Sequence, residues 1–216
     1  TETTGLSVAE GHRIVEIGCI EIENQIPTQN KFHYYLNPER NVSKDALKVH
    51  GYTDEFLSDK KKFKEIADDF MSFIHDKKII IHNAEFDISH LNNELSLINK
   101  KKINNENIID TLDIARNKFP GSGTSLDALC KRFRIDNSKR SYHTALIDCE
   151  LLSKVYINLI DQKEPTLNLE NQSEKKENLD LVNNLMYYKK IIEPSKEELD
   201  LHKKFLKKSL KKNYFN

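Results

Sequence analysis

The chain has 216 residues, 38% of them hydrophobic and 31% charged, enough for one sizeable buried core and on the polar side of soluble globular proteins. Lys+Arg and Asp+Glu are both 34, so there is no overall basic field of the kind that coats duplex DNA, although gripping a few terminal nucleotides needs none. Three cysteines without CxxC spacing suggest reduced thiols in a cytosolic protein, and no apolar run approaches the ~20 residues of a membrane span.

The chain opens on Thr1-Glu2-Thr3-Thr4-Gly5, a small polar cluster around one carboxylate. Residues 14–23, IVEIGCIEIE, predict a β-strand with Glu21 and Glu23 facing outward. NQIPTQN then reads as a turn and 31–36, KFHYYL, as the hairpin partner. Ser43 and Thr53 are helix caps ahead of KDALKVH and DEFL. Phe63, Ile66, Ala67, Phe70 and Ile74 share one helical stripe. Residues 78–82, KIIIH, predict a strand buried on both faces, followed by a turn at Asn83 and a helix over 86–98. A short strand at Ile108-Ile109, a helix from Asp110 to Lys118, a helix capped by Thr124 or Ser125, and a long helix from Thr144 to Ile160 complete an α/β domain with a mixed sheet.

Composition changes at Asp161. Residues 161–178 have almost nothing to bury and read as a linker. Short apolar fragments follow, and then Ser195 and Glu198 form a capping box for a last helix. That helix carries Leu199, His202, Leu206 and Leu210 on one stripe in a lysine-rich background. Too short to be stable alone, it is expected to dock on another surface, the plainer reading being a solvated tail helix. The expected organisation is a domain over 1–160, a flexible linker over 161–194 and a tail helix over 195–216.

Three places combine turn chemistry with acidic residues or histidine. They are Glu2, Asp87 in the first turn of the helix after KIIIH, and His143 with Asp148 in YHTALIDCE. Each has a plainer reading: Asp87, for example, can simply favour a helix N-terminus. Asp148 is different, because Ala145, Leu146, Ile147 and Leu151 make its surroundings apolar and a carboxylate there needs a partner or a cation. His143 serves the same site as Asp148 only if it lies at or before the helix start, because five helical residues turn about 140°.

In order, these blocks are a carboxylate at a strand end, a carboxylate after a later strand, and H-x4-D on a late helix. Together with HRIVEIGCIEI, KVHGYTDEFL, SLDALCKRFRIDNSKR and HTALIDCELLSKVY, they resemble the DEDDh family of 3′→5′ exonucleases over residues 1–160, closest to its bacterial proofreading members. The resemblance implies a ribonuclease H-like domain, a central mixed sheet flanked by helices, followed by a flexible tail. It also implies two Mg²⁺ or Mn²⁺ ions held by Glu2, Asp87 and Asp148, with His143 as general base on the attacking water. The implied product is a nucleoside 5′-monophosphate. Glu2, Thr3, Gly5, Asp45, His50 and Asp148 are implied as substrate contacts at a DNA 3′ end, with Asp45 and His50 equally readable as a helix-surface acid and a helix-end histidine. Lys131, Arg132, Arg134, Lys139 and Arg140 are phosphate-contact candidates or a solvated basic loop.

The family's first block reads D-x-E, and here the Asp would stand one residue before Thr1. Without that Asp, the resemblance implies poor metal binding and little activity. The tail implies a polymerase catalytic subunit as partner in the bacterial cytoplasm, where tethering raises effective concentration at the primer end. Two alternatives use the same residues: a free-standing nuclease acting on RNA or short oligonucleotides, and an inactive subunit that stabilises a polymerase.

Overall fold

The computed structural model describes residues 1–138, 140, 142–160 and 194–209. β1 (Glu2–Thr3) pairs antiparallel with β2 (Ile14–Glu23), which pairs antiparallel with β3 (Ile26–Tyr35). The hairpin is tighter than the sequence suggests. Asn24 and Gln25 both take positive φ, 49° and 66°, and close a two-residue turn, so β3 starts at Ile26 rather than residue 31. Pro27 is tolerated because β3 lies at the sheet edge, and the register shifts between Ile20 and Ile22.

The next two helices are capped as their sequences predict. Ser43 accepts from the Ala46 N–H ahead of α1 (Lys44–His50), and Thr53 accepts from the Phe56 N–H ahead of α2 (Asp54–Ser58). α3 (Phe63–Ile74) buries Phe63, Ile66, Ala67 and Phe70 of the expected stripe, with Ile74 at its end only partly buried. β4 (Ile79–Ile81) runs parallel to β5 (Ile108–Asp110), with α4 (Ala84–Leu97) between them in sequence. β4 is half-buried rather than enclosed on both faces, and β5 is its only strand partner among the described residues. α5 (Thr111–Lys118), α6 (Leu126–Phe133) and α7 (Ala145–Leu159) complete the domain. Ser125, not Thr124, caps α6.

Alternation along β2 and β3 sends side chains to two layers. Ile17 and Phe32 enter a core with Phe70, Leu91 and Leu95 of α3 and α4, and the Phe32 and Phe70 rings lie 5.6 Å apart. Each such side chain contributes about 1.5–3 kcal/mol by leaving water. A second core joins Ala115 of α5, Leu129 and Cys130 of α6, and Leu151, Val155 and Leu159 of α7. Glu16 and Gly18 of β2 share one parity and meet α7 directly. A Cβ on Gly18 would lie 2.8 Å from the Ala145 carbonyl carbon and from the Leu146 nitrogen. The Cys149 thiol donates to the Gly18 carbonyl at 3.1 Å across the same contact. The first turn of α7 therefore rests on bare strand backbone.

The chain divides into two compact units, Thr1–Asn168 and Leu169–Asn216. In the second, α8 (Lys196–Ser209) begins with the expected capping box: the Ser195 N–H donates to Glu198 at 2.8 Å and the Glu198 N–H to Ser195 Oγ at 3.3 Å. Leu199, Leu201 and Phe205 are exposed on it. The predicted linker over 161–178 and Leu210 lie outside the described residues. None of the described helices is long and apolar enough to cross a membrane.

Gly18→Ala forces α7 off β2, and we expect a loss of about 1–3 kcal/mol in stability, read as a lower urea midpoint with an unchanged m-value.

Candidate metal centre

Glu2 comes from β1, whose partner in register is Glu16 of β2. The β1 backbone is braced by His50 at the end of α1, which is 3% exposed. Its Nε2 donates to the Thr3 carbonyl at 3.2 Å, and its Nδ1 accepts from the Tyr52 N–H at 3.0 Å. Burial holds the His50 pKa below the usual imidazole range, in keeping with this neutral tautomer.

Asp87 comes from the first turn of α4, whose start is fixed by a carboxylate two elements away. Asn83 turns the chain at φ 69°, and its N–H and that of Ala84 donate to Asp110 at 3.1 and 2.8 Å. Asp110 also accepts from the Leu112 N–H at 2.8 Å, so it caps α5 and holds α4 together. Farther along α4, Glu94 is 2% exposed and takes a bidentate pair from Arg13 at 2.6 and 2.7 Å. That pair fixes α4 to the start of β2.

His143 and Asp148 come from the N-terminus of α7. Thr144 is the N-cap, so His143 precedes the helix, as a site shared with Asp148 requires. The His143 N–H donates to the Val49 carbonyl at 3.1 Å. Glu16 sets the helix start: fully buried, it accepts from the Ala145 N–H at 2.8 Å, Tyr52 Oη at 2.9 Å and His33 Nε2 at 2.7 Å.

These elements bring Glu2, His143 and Asp148 together, with one donor atom from each lying within 4.8 Å of the others. Asp87 stands beside this group, accepting from the Thr1 ammonium and the Thr1 hydroxyl, both at 2.7 Å. Glu2 departs from an ordinary carboxylate. Burial pushes its pKa up to about 7; the Thr1 ammonium opposes this, and the charges of Asp148, Glu16 and Asp87 add to it. The two carboxylates converging at this spacing offer the hard oxygen donors that suit Mg²⁺ or Mn²⁺, with the borderline imidazole nitrogen beside them.

The other expected contacts divide. Thr3 is buried beside Glu2 and its hydroxyl donates to the Gly5 carbonyl at 2.7 Å. Gly5 permits a close approach, but by the His12 ring, 2.3 Å from where a Cβ would stand. Asp45 is not brought to the centre: its side chain is 93% exposed on α1 and pairs with Lys48 at 2.9 Å. Arg132 lies over the Phe119 ring at 4.3 Å, and Arg134 caps α6 at φ 57°. Lys139 lies outside the described residues. Arg140, grouped with the basic stretch by sequence, instead grips Asp148 through Nε and Nη2 at 2.6 and 2.7 Å.

Sequence reasoning passed over Glu16. Its signal was a glutamate among apolar neighbours, two residues before a strand glycine that marks a close backbone approach.

Residues 1–156 match the family model RNase_T, described as exonuclease. The chain is 51% identical to the DNA polymerase III subunit epsilon of Rickettsia felis, over 98% of this chain and 95% of that protein. It is 44% identical to the subunit of the same name from Buchnera aphidicola subsp. Acyrthosiphon pisum, over 95% and 91%. Among solved structures, exonuclease X in complex with 5′ overhanging duplex DNA aligns with a TM-score of 0.59 at 24% identity, over 76% of this chain and 89% of that one. The nuclease domain of 3′hExo, a DEDDh family member bound to rAMP, aligns with a TM-score of 0.61 at 17% identity, over 70% and 82%.

A folded-state pKa near 7 for Glu2, against an ordinary 4.5, means the metal-free fold binds that proton more tightly than the unfolded chain does. The stabilisation is complete below pH 4.5 and is lost as pH rises through 7. In chelator, wild type should lose about 2–3 kcal/mol across that window relative to Glu2→Gln. Parallel urea titrations of both proteins would reveal the difference, and equal slopes would rule it out.

Proposed function

We infer, since the chain belongs to the RNase_T exonuclease family and to its DEDDh branch, that it is a 3′→5′ exonuclease subunit of the DNA polymerase III type, proofreading for a bacterial replicative polymerase. The observation that carries the chemistry is the convergence of Glu2, His143 and Asp148 at one point in a ribonuclease H-like fold. The reaction is hydrolysis of the terminal phosphodiester at a mispaired DNA 3′ end, releasing a nucleoside 5′-monophosphate.

Glu2 and Asp148 would hold divalent cations, Mg²⁺ or Mn²⁺, with Asp87 supporting a second ion from its place beside Thr1. Bound there, the cations supply charge neutralisation at the phosphodiester and acidify the attacking water. His143 takes a proton from that water. Its side chain is half-exposed beside Arg140 and Asp148, so it can face an incoming strand. Thr3 and His50 fix the β1 backbone behind Glu2 and so position that carboxylate.

Dependence on a divalent cation follows from the family, and docking on the polymerase is assigned to α8. Leu201 and Phe205, four residues apart, give that helix an exposed apolar face among lysines, suited to a groove on a larger subunit, with Leu199 and Leu206 on a second face. Residues 1–160 then act as the nuclease and 195–216 as the tether, in the bacterial cytoplasm.

A 5′-labelled DNA primer annealed to a template so that its 3′ end is mismatched tests the chemistry in the full-length protein. His143→Ala should lower kcat by about 10²–10⁴-fold, and Asp148→Asn or chelator should abolish turnover. Turnover that survives chelation would sink the mechanism, and faster cleavage of an RNA of the same sequence would sink the proofreading assignment. Deleting residues 165–216 should leave oligonucleotide hydrolysis intact while ending co-purification with the polymerase catalytic subunit.

A further inference from the structure

Arg140 enters the centre from the loop before α7 with its side chain only 7% exposed, and its N–H donates to the Asn137 carbonyl at 3.0 Å. Its guanidinium uses three nitrogens. Nε and Nη2 take both oxygens of Asp148, at 2.6 and 2.7 Å, and Nη1 donates to Asp127 on α6 at 2.6 Å. Nη2 also lies 3.0 Å from His143 Nδ1. A guanidinium has only donors, so Nδ1 is the acceptor and its lone pair is engaged.

We propose that Arg140 is a displaceable latch on Asp148 and His143 that withdraws toward Asp127 when a divalent cation enters. The proposal rests on reading this site as a metal centre. Its physical basis is competition between cations. A divalent ion shared by Glu2 and Asp148 must share carboxylate oxygens already bonded to a guanidinium, and two cations on one oxygen pair repel. The retreat is short. Asp127 is 54% exposed and already holds Nη1, so the guanidinium can keep one ion pair while giving up the other. Withdrawal also frees the His143 lone pair, so one movement exposes the metal ligand and the general base together. Without the latch, Glu2, Asp148 and Asp87 would crowd negative charge into a partly buried space.

The test measures Mn²⁺ binding without DNA, by electron paramagnetic resonance of the free ion, on the full-length wild type and its Arg140→Gln and Arg140→Lys variants. The latch predicts that Arg140→Gln binds Mn²⁺ about tenfold more tightly, Arg140→Lys falls between, and both melt lower than wild type in chelator. Should Arg140→Gln fail to fold, Arg140→Lys keeps the charge and carries the comparison. In wild type, Mn²⁺ should also speed phenylglyoxal labelling of Arg140 several-fold, mapped by mass spectrometry. Equal or weaker Mn²⁺ binding by the variants, or labelling indifferent to Mn²⁺, would overturn the latch while leaving Mn²⁺-dependent nuclease activity standing. If none of the three proteins bound Mn²⁺, the metal-centre reading would fall and the latch with it.

Discussion

The centre depends on a carboxylate that does none of the chemistry assigned to it. Glu16 is wholly buried in β2, where an unpaired charge would cost several kcal/mol, and three donors from three parts of the chain satisfy it. They are His33 on β3, Tyr52 after α1, and the Ala145 N–H at the start of α7. The last is an orphan helix-terminal donor, so one contact settles two obligations: the helix end finds an acceptor and the buried carboxylate finds a donor. Gly18, two residues along, lets the same turn of α7 lie against the strand. Asp148 and His143 are placed by this junction.

The other side of the centre follows the same logic with different residues. Glu94 and Arg13 fix α4 to the beginning of β2, while Asp110 caps two helices at once. Asp87 therefore sits on a helix held at both ends, and Glu2 on a strand whose backbone His50 braces. Rigid supports matter here because the centre is electrostatically uncomfortable without a cation. Glu2 resists ionisation, Asp87 leans on the Thr1 hydroxyl and Asp148 on a guanidinium. Softer supports would let the carboxylates drift apart, and the scaffold opposes that drift with buried bonds.

Most of the fold was legible because its signals are local. Ser43, Thr53 and Ser195 are side-chain caps, and Phe63 to Phe70 is a stripe that needs only its own helix to declare itself. The hairpin start was misread because Pro27 reads as a breaker, whereas the edge position that tolerates it is a property of the sheet. Among the centre's residues, Glu2, His143 and Asp148 were legible through the ordered blocks of the family resemblance. The same resemblance implied that they meet; what stayed hidden was the support of that meeting point, because it depends on Glu16 binding a residue 129 positions away. Arg140 was read within a basic stretch, yet it is buried on a carboxylate, a fate not encoded in nearby sequence. Asp45 was equally readable as a substrate contact or a helix-surface acid, and it extends into solvent as the latter.

The position of β3 bears on how the protein behaves in company. A strand at a sheet margin presents unpaired amide and carbonyl groups, which a second molecule can use to extend the sheet. Pro27 removes one of those donors, the irregular register near Ile20 interrupts the flat face, and charged Lys31 sits farther along. Beyond the strand, Leu36 bridges to Lys61, so that end is already occupied. The hairpin that brings His33 to Glu16 is thereby a poor template for strand-to-strand self-association.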